Sequence, residues 1–250
     1  MSNARSIALG AVLVLAGCAG TPGPGAFDAG IDAGVVDAGV VDAGSEDAGP
    51  VDAGEVVDAG LDAGSSDAGA AFVVGVVSFD PGPGAGFGQS QMPGIVEGPP
   101  KGGGLYAGST DVLSLGVGGV IVVELGEEIV DGPGIDFTVF ENAFMTGTSV
   151  YAEPGAVAVS DDGVAFTEFP CDPDAGVIAT CAGYKPVLSD PSNGVSPLDP
   201  SVSGGDTFDL ADIGVTRARY VRVRDLGLGG QNAPTAGFDL DSIAVVNTAP

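Results

Sequence analysis

"ARYVRVRDL" (218–226) decides how the rest of this 250-residue chain is read. In it Val221 and Val223 fall on one side while Arg222 and Arg224 fall on the other. That is a period of two, the mark of a strand with one face in a core and one in water. The same alternation runs through "TFDLADI" (207–213) and "FDLDSIAVV" (238–246). Working back along the chain, β-branched runs recur between glycine and proline clusters: "AFVVGVVSF" (71–79), "VLSLG" (112–116), "GVIVVEL" (119–125), "IDFTVF" (135–140), "GAVAVS" (155–160) and "VAFTEF" (164–169). "VSDDGVAF" carries the Asp-Asp-Gly of a hairpin turn. No segment sustains a 3.6-residue period. Short strands with frequent turn signals predict an all-β fold, an antiparallel β-sandwich of the jelly-roll kind, over residues 72–250. Residues 80–104, rich in Gly and Pro, are expected to form a long loop on its surface.

The front of the chain has a different chemistry. Arg5 is the only charged side chain before Asp28, and it precedes the apolar run "SIALGAVLVLAGC". The run is too short to span a bilayer and fits a secretory signal, assigned to residues 1–17. Leu15-Ala16-Gly17-Cys18 resembles the lipobox of bacterial lipoproteins. That resemblance implies cleavage before Cys18, lipid on its sulfur and acylation of the new amino terminus. The membrane partner would then be reached through the lipid, since several acyl chains anchor a protein stably where one does not. Residue 19 is Ala rather than Asp. By resemblance to the usual sorting pattern, this points to the outer membrane or cell surface of a diderm bacterium.

Residues 18–71 follow as a predicted disordered tether. DAG triplets begin at Asp28, Asp32, Asp37, Asp42, Asp47, Asp52, Asp58, Asp62 and Asp67. Glycine at every step opposes helix, Asp and Gly oppose strand, and repeated like charges extend the chain. As a flexible coil such a segment spans about 40 Å. It lacks the strict nonapeptide of the known glycine-aspartate calcium repeats. DAG-rich spacers behind a lipobox resemble those of diderm surface lipoproteins.

Charge and composition exclude several functions. The net charge is −27, with 7 Lys and Arg against 34 Asp and Glu, so no basic patch exists for nucleic acid. There is no histidine, which removes Ser-His-Asp and Cys-His catalysis and most zinc sites. With Cys18 consumed by lipid, Cys171 and Cys181 form an even pair, expected as a disulfide in an exported protein and otherwise two free thiols.

Three stretches, taken together, resemble a module of bacterial cell-surface proteins and lipoproteins: 113–144 ("LSLGVGGVIVVELGEEIVDGPGIDFTVFENAF"), 157–169, and 204–247 with its "GGDTFDLADIG" and "GFDLDSIAVVN". The resemblance implies location and architecture rather than activity. More loosely, "ARYVRVRD" is similar to a strand of discoidin-type, galactose-binding-like sandwiches. "FDLDSIAVV" is similar to the closing strand of carbohydrate-binding jelly rolls, where an acidic residue often ligates structural calcium.

The carboxylates are the chemical feature of the domain. Calcium takes six to eight oxygens, and acidic strand ends supply them. The candidate ligands are Asp136, Glu141, Asn142, Asp209, Asp239 and Asp241, with Glu153 and Asp206 beside them. If Phe238 and Leu240 face the core, Asp239 and Asp241 point outward together and need a cation or an arginine between them. Arg217, Arg219, Arg222 and Arg224 are the alternative partners, and salt bridges with turn caps are the structural alternative to calcium. Tyr106 and Tyr184 sit in predicted loops and are the candidate ligand-binding aromatics. The expected role is non-catalytic recognition or adhesion, with a glycan or another surface protein as ligand. The alternatives are a structural envelope component and a two-carboxylate hydrolase acting on glycosides.

Overall fold

The computed structural model describes residues 69–249; the lipobox and most of the DAG string lie outside them. The strands are β1 (Val73–Asp80), β2 (Leu113–Ser114), β3 (Val120–Val130), β4 (Phe137–Phe140), β5 (Phe144–Thr146), β6 (Ser149–Tyr151), β7 (Gly155–Ser160), β8 (Thr167–Glu168), β9 (Asp206–Phe208), β10 (Arg217–Asp225), β11 (Asp239–Leu240) and β12 (Ser242–Val245). Two short 3-10 turns, Gln89–Gln91 and Leu210–Ile213, are the helical elements among the described residues. The fold is all-β and antiparallel throughout. One sheet runs β1-β3-β10-β7-β8 and a second runs β12-β4-β9, with β11-β2 and β5-β6 as separate pairs.

β10 is the middle of the larger sheet. Val221 lies opposite Val123 on one side and Val159 on the other; Val223 lies opposite Ile121 and Val157. All six are buried. The smaller sheet meets them with Phe137, Val139, Phe208, Ile243 and Val245 in one continuous core. Phe137 stacks on Phe208 at 5.0 Å, and Phe169 meets the two rings edge-on at 5.9 and 4.9 Å. The two inner faces make the sandwich. A fully buried residue of this size contributes about 1.5–3 kcal/mol of transfer free energy.

The outer face of β10 carries its arginines. Arg222 and Arg224 each reach Glu168 at 3.3 Å, Arg219 reaches Glu124 at 3.0 Å, and Arg217 lies 3.5 Å from Asp161. These pairs are exposed and each contributes little to stability. At the sheet edge, β1 is paired on one side only, and its ladder is interrupted twice. Such bulges twist an edge away from unwanted strand pairing.

Four segments depart from the sequence reading. "FDLDSIAVV" is not one strand: β11 pairs with β2 and β12 with β4, so the chain changes sheets at Asp241. "TFDLADI" stops as a strand at Phe208, because the Asp209 side chain accepts the Ala211 N–H and starts a 3-10 turn that Gly214 ends at φ 66°. "VAFTEF" pairs only at Thr167 and Glu168, and Val164 is 81% exposed. The β5–β6 hairpin has no strand candidate in the sequence, since its strands hold three residues each and all three β6 residues are exposed.

The loop 80–104 is packed, not loose: Ile95 and Val96 are buried, and its backbone bonds to Leu115, Pro234 and Ser189. Cys171 and Cys181 form a disulfide, with Cα atoms 5.0 Å apart. It closes a loop whose end is fastened to β7 by two backbone bonds between Gly155 and Ala182. Closure of a loop this short stabilises the fold by about 2.5–3 kcal/mol on the chain-entropy account.

Candidate functional site

The acids gather at both ends of β4, and the two ends differ. At its start, Asp136 is fully buried. Its Oδ1 accepts the Gly132 N–H at 2.9 Å and the Asn247 amide at 2.8 Å; its Oδ2 accepts the Leu210 N–H at 2.7 Å. One side chain therefore ties the β3–β4 turn, the 3-10 turn and the end of the closing strand together. Asp131 and Asp209 each bring a carboxylate oxygen within 4.8 Å of Asp136 and of each other. Such a trio has the oxygen chemistry for a cation. Asp209 also has a local task, accepting the Ala211 N–H at 2.9 Å.

At the other end of β4, Glu141 is 2% exposed, and its Oε2 has no hydrogen-bond partner. Burial pushes its carboxyl well above the usual range, and the charges of Asp239 and Glu153 push the same way, against backbone hydrogen bonds at Asn142 and Asp239. Asp239, on β11, is raised to about 6 by burial, against hydrogen bonds from the Ser114 hydroxyl and the Asn142 side chain. Glu153 is raised to about 7 by burial and then by Asp239. Its Oε1 accepts the Gly230 N–H at 2.7 Å and the Tyr151 hydroxyl at 3.5 Å. Gly230 is needed for this approach: a Cβ there would lie 2.6 Å from both Glu153 Oε1 and the Tyr151 oxygen. Asp225, buried behind the cluster, accepts the N–H groups of Gly118, Gly227 and Phe238 and so holds three loops in place.

The six candidate calcium ligands are thus divided among three places. Asp136 and Asp209 stand at one end of β4 with Asp131. Glu141, Asn142 and Asp239 stand at the other. Asp241 stands apart: both its oxygens accept the Lys101 N–H at 3.0 Å, and the charges around it are Asp111, Lys101 and Asp190. Asn142 does not aim its oxygen at the cluster, since Oδ1 accepts the Ser109 N–H.

Two further expectations are corrected. Asp239 and Asp241 do not face outward; they are 5% and 2% exposed. The sheet change at Asp241 breaks the simple alternation, so Phe238 and Leu240 are buried together with the aspartates between them. Nor do the arginines neutralise them, being engaged with Glu124, Glu128, Asp161 and Glu168.

Tyr106 is 72% exposed. Its loop is fastened to the β5–β6 hairpin by the Met145 N–H on the Leu105 carbonyl at 2.8 Å. On that hairpin Phe144 and Tyr151 stack at 5.2 Å, and Tyr151 is 42% exposed. Tyr184 lies elsewhere: its N–H and that of Gly183 bind Asp206 Oδ2 at 2.9 and 2.7 Å. Burial of Asp206 outweighs these bonds and raises its carboxyl to about 6. Cys18 lies outside the described residues.

Asp131, Tyr151 and Asp225 were not singled out from the sequence as site residues. Asp131 had a signal, the Asp-Gly that ends β3. Asp225 had one too, as the acid that closes "YVRVRD". Comparison with known proteins finds no family model that matches the chain and no similar curated protein. Its function must therefore be read from the residues themselves.

Proposed function

We propose that this chain is an exported surface lipoprotein, anchored through lipid at Cys18, whose sandwich binds a glycan without chemical change. The observation that carries the ligand reading is Tyr106, 72% exposed beside the stacked Phe144–Tyr151 hairpin. Sugar rings pack on aromatic faces, and an apolar body with a polar tip suits a wet binding surface. The lipobox around Cys18 and the DAG-rich segment behind it support display away from a membrane, at the outer membrane or cell surface. The Cys171–Cys181 disulfide suits the oxidising space outside the cytoplasm.

A non-catalytic role is supported by the carboxylates. Glu141, Glu153 and Asp239 are 2%, 3% and 5% exposed, so a glycosidic bond does not reach them. The test is retention of the full chain on insoluble polysaccharides and on envelope fractions. Retention on a polysaccharide that falls about tenfold in Tyr106→Ala supports the reading. Retention only on envelope protein would replace the glycan with a surface-protein ligand. Retention on neither would leave a structural envelope role.

A further inference from the structure

We propose that the cleft between the Lys185 loop and the start of β4 takes the carboxylate of an acidic sugar, with Lys185 as its counter-ion. The cleft holds about 470 Å³, within the roughly 300–1,000 Å³ of small-ligand sites. It is open to solvent, so one residue of a longer glycan can enter it. Pro133, Ile135, Pro200 and Val246 give it apolar walls, and its polar groups come from Lys185, Asp199, Ser201, Thr207 and Asn247.

Lys185 stands alone in its charge balance. Arg5 lies outside the described residues, and Lys101 and the four arginines each pair with a carboxylate. Among the described residues Lys185 is the basic side chain without such a pair; its Nζ lies 3.5 Å from the Thr207 hydroxyl. In a chain of net charge −27, a lysine that no acid has taken is the exception. The backbone beneath it is held firmly. The N–H groups of Gly183, Tyr184 and Lys185 converge on Asp206 Oδ2 at 2.7, 2.9 and 3.3 Å. Asp206 feels the Lys185 charge, but it is buried and its Oδ2 is filled by these three donors.

The other polar groups of the cleft are mostly engaged. The Asn247 amide donates to the Ile135 carbonyl at 3.0 Å and to Asp136 Oδ1 at 2.8 Å. Asp199 Oδ1 accepts the N–H and the hydroxyl of Ser201 at 3.0 and 2.6 Å. Its Oδ2 has no donor among the described residues and is free to accept a ligand hydroxyl. The cleft therefore offers one ammonium, one spare carboxylate oxygen and apolar walls. A single ammonium matches the single charge of a carboxylate, whereas a phosphate carries more charge and three acceptor oxygens. The spare Asp199 oxygen separates an acidic sugar from an acidic peptide. A uronic acid brings hydroxyl donors beside its carboxylate, while a Glu or Asp side chain brings only a like charge.

This proposal rests on the glycan reading and adds a second contact to it. Tyr106 lies on the loop fastened to the β5–β6 hairpin, past the end of β4, while Ile135 stands before its start.

The test is binding of oligogalacturonate to the full chain in chelator, beside its methyl ester, which has the same skeleton without the charge. Chelator removes metal bridges between acids. A chain this acidic repels polyanions at long range, so a preference for the free acid requires a local cation. The free acid should bind about tenfold tighter than the ester. Lys185→Met should remove that preference, and Lys185→Arg, which keeps the charge, should retain most of it. Lys185 is exposed, so neither change disturbs the core. Equal binding of acid and ester, a preference that survives Lys185→Met, or no binding of either would overturn the proposal. An oligoglutamate that binds as tightly as oligogalacturonate would overturn it in favour of an acidic protein partner. The two readings fail separately. If acid and ester bind alike and Tyr106→Ala weakens both, the cleft is dismissed and the glycan reading stands. If Lys185→Met removes the preference and Tyr106→Ala changes nothing, the cleft stands and the glycan leaves Tyr106.

Discussion

The two ends of β4 solve the same problem differently. Asp136 and Glu141 are both buried acids, five residues apart on one strand, so about 16 Å of backbone separates them. Asp136 is surrounded by N–H donors from three segments. Glu141 takes backbone hydrogen bonds at Asn142 and Asp239 but lies near the charges of Asp239 and Glu153, and its Oε2 keeps no partner. Burial alone therefore says nothing about the role of a carboxylate in this fold. The donors around it do. Where N–H groups meet both oxygens, as at Asp136, the acid is a structural tie; where one oxygen is left over among other acids, as at Glu141, burial holds the carboxyl toward its protonated form.

The comparison breaks most readily at Asp136. Asp136→Ala strands the Gly132 and Leu210 N–H groups and the Asn247 amide, each worth about 1–3 kcal/mol when left unpaired. A loss of about 3 kcal/mol or more is expected, read as a lower denaturant midpoint, and it should be equal in calcium and chelator. A calcium-dependent loss would erase the distinction between the two ends.

A second way to probe it is pH. Asp206 is raised to about 6, and Glu153 and Asp239 to about 7 and about 6. Unfolded carboxyls titrate near 4. Between pH 4 and 7 the folded chain then binds more protons than the unfolded chain, so stability falls as pH rises. In chelator the melting temperature should drop across this window. A melting temperature that climbs from pH 4 to 7 in chelator would contradict the assignment of buried, undercompensated acids.

Glu141→Gln offers a smaller effect with a telling sign. It keeps the shape and removes the buried ionisation, so the fall in melting temperature between pH 4 and 7 should be smaller than in the wild type. The matching change Asp136→Asn should destabilise under the same conditions. Smallest of all, Glu168→Gln, which releases Arg222 and Arg224 on the exposed face, should cost less than about 1 kcal/mol in chemical denaturation. A larger cost would mean that this surface network contributes more than exposed ion pairs do.

How legible was this in the sequence? The larger sheet was readable wherever alternation was clean. β10 follows its Val/Arg pattern, and β7 occupies 155–160 as expected from "GAVAVS". The sandwich class follows from such strands. What was not readable were features made by partners distant in sequence. The break at Asp241 exists because β11 and β12 find different neighbours, β2 and β4, and no local signal marks that switch. The hairpin β5–β6 is too short and too exposed to show a pattern. For the site, acidic strand ends brought Glu141 and Asp239 into view. Separating them from Asp136 required knowing that Leu210 and Asn247, 74 and 111 positions away, would reach Asp136 instead.

The most direct measurement is the melting temperature of the full chain and of its Glu141→Gln variant between pH 4 and 7. The acidic DAG string is common to both, so subtracting one curve from the other isolates Glu141. A wild-type melting temperature that falls as pH rises, more steeply than that of the variant, is the predicted result, because the buried Glu141 carboxyl is raised well above the usual range. Parallel curves would contradict it, and the two ends of β4 would then hold their acids alike.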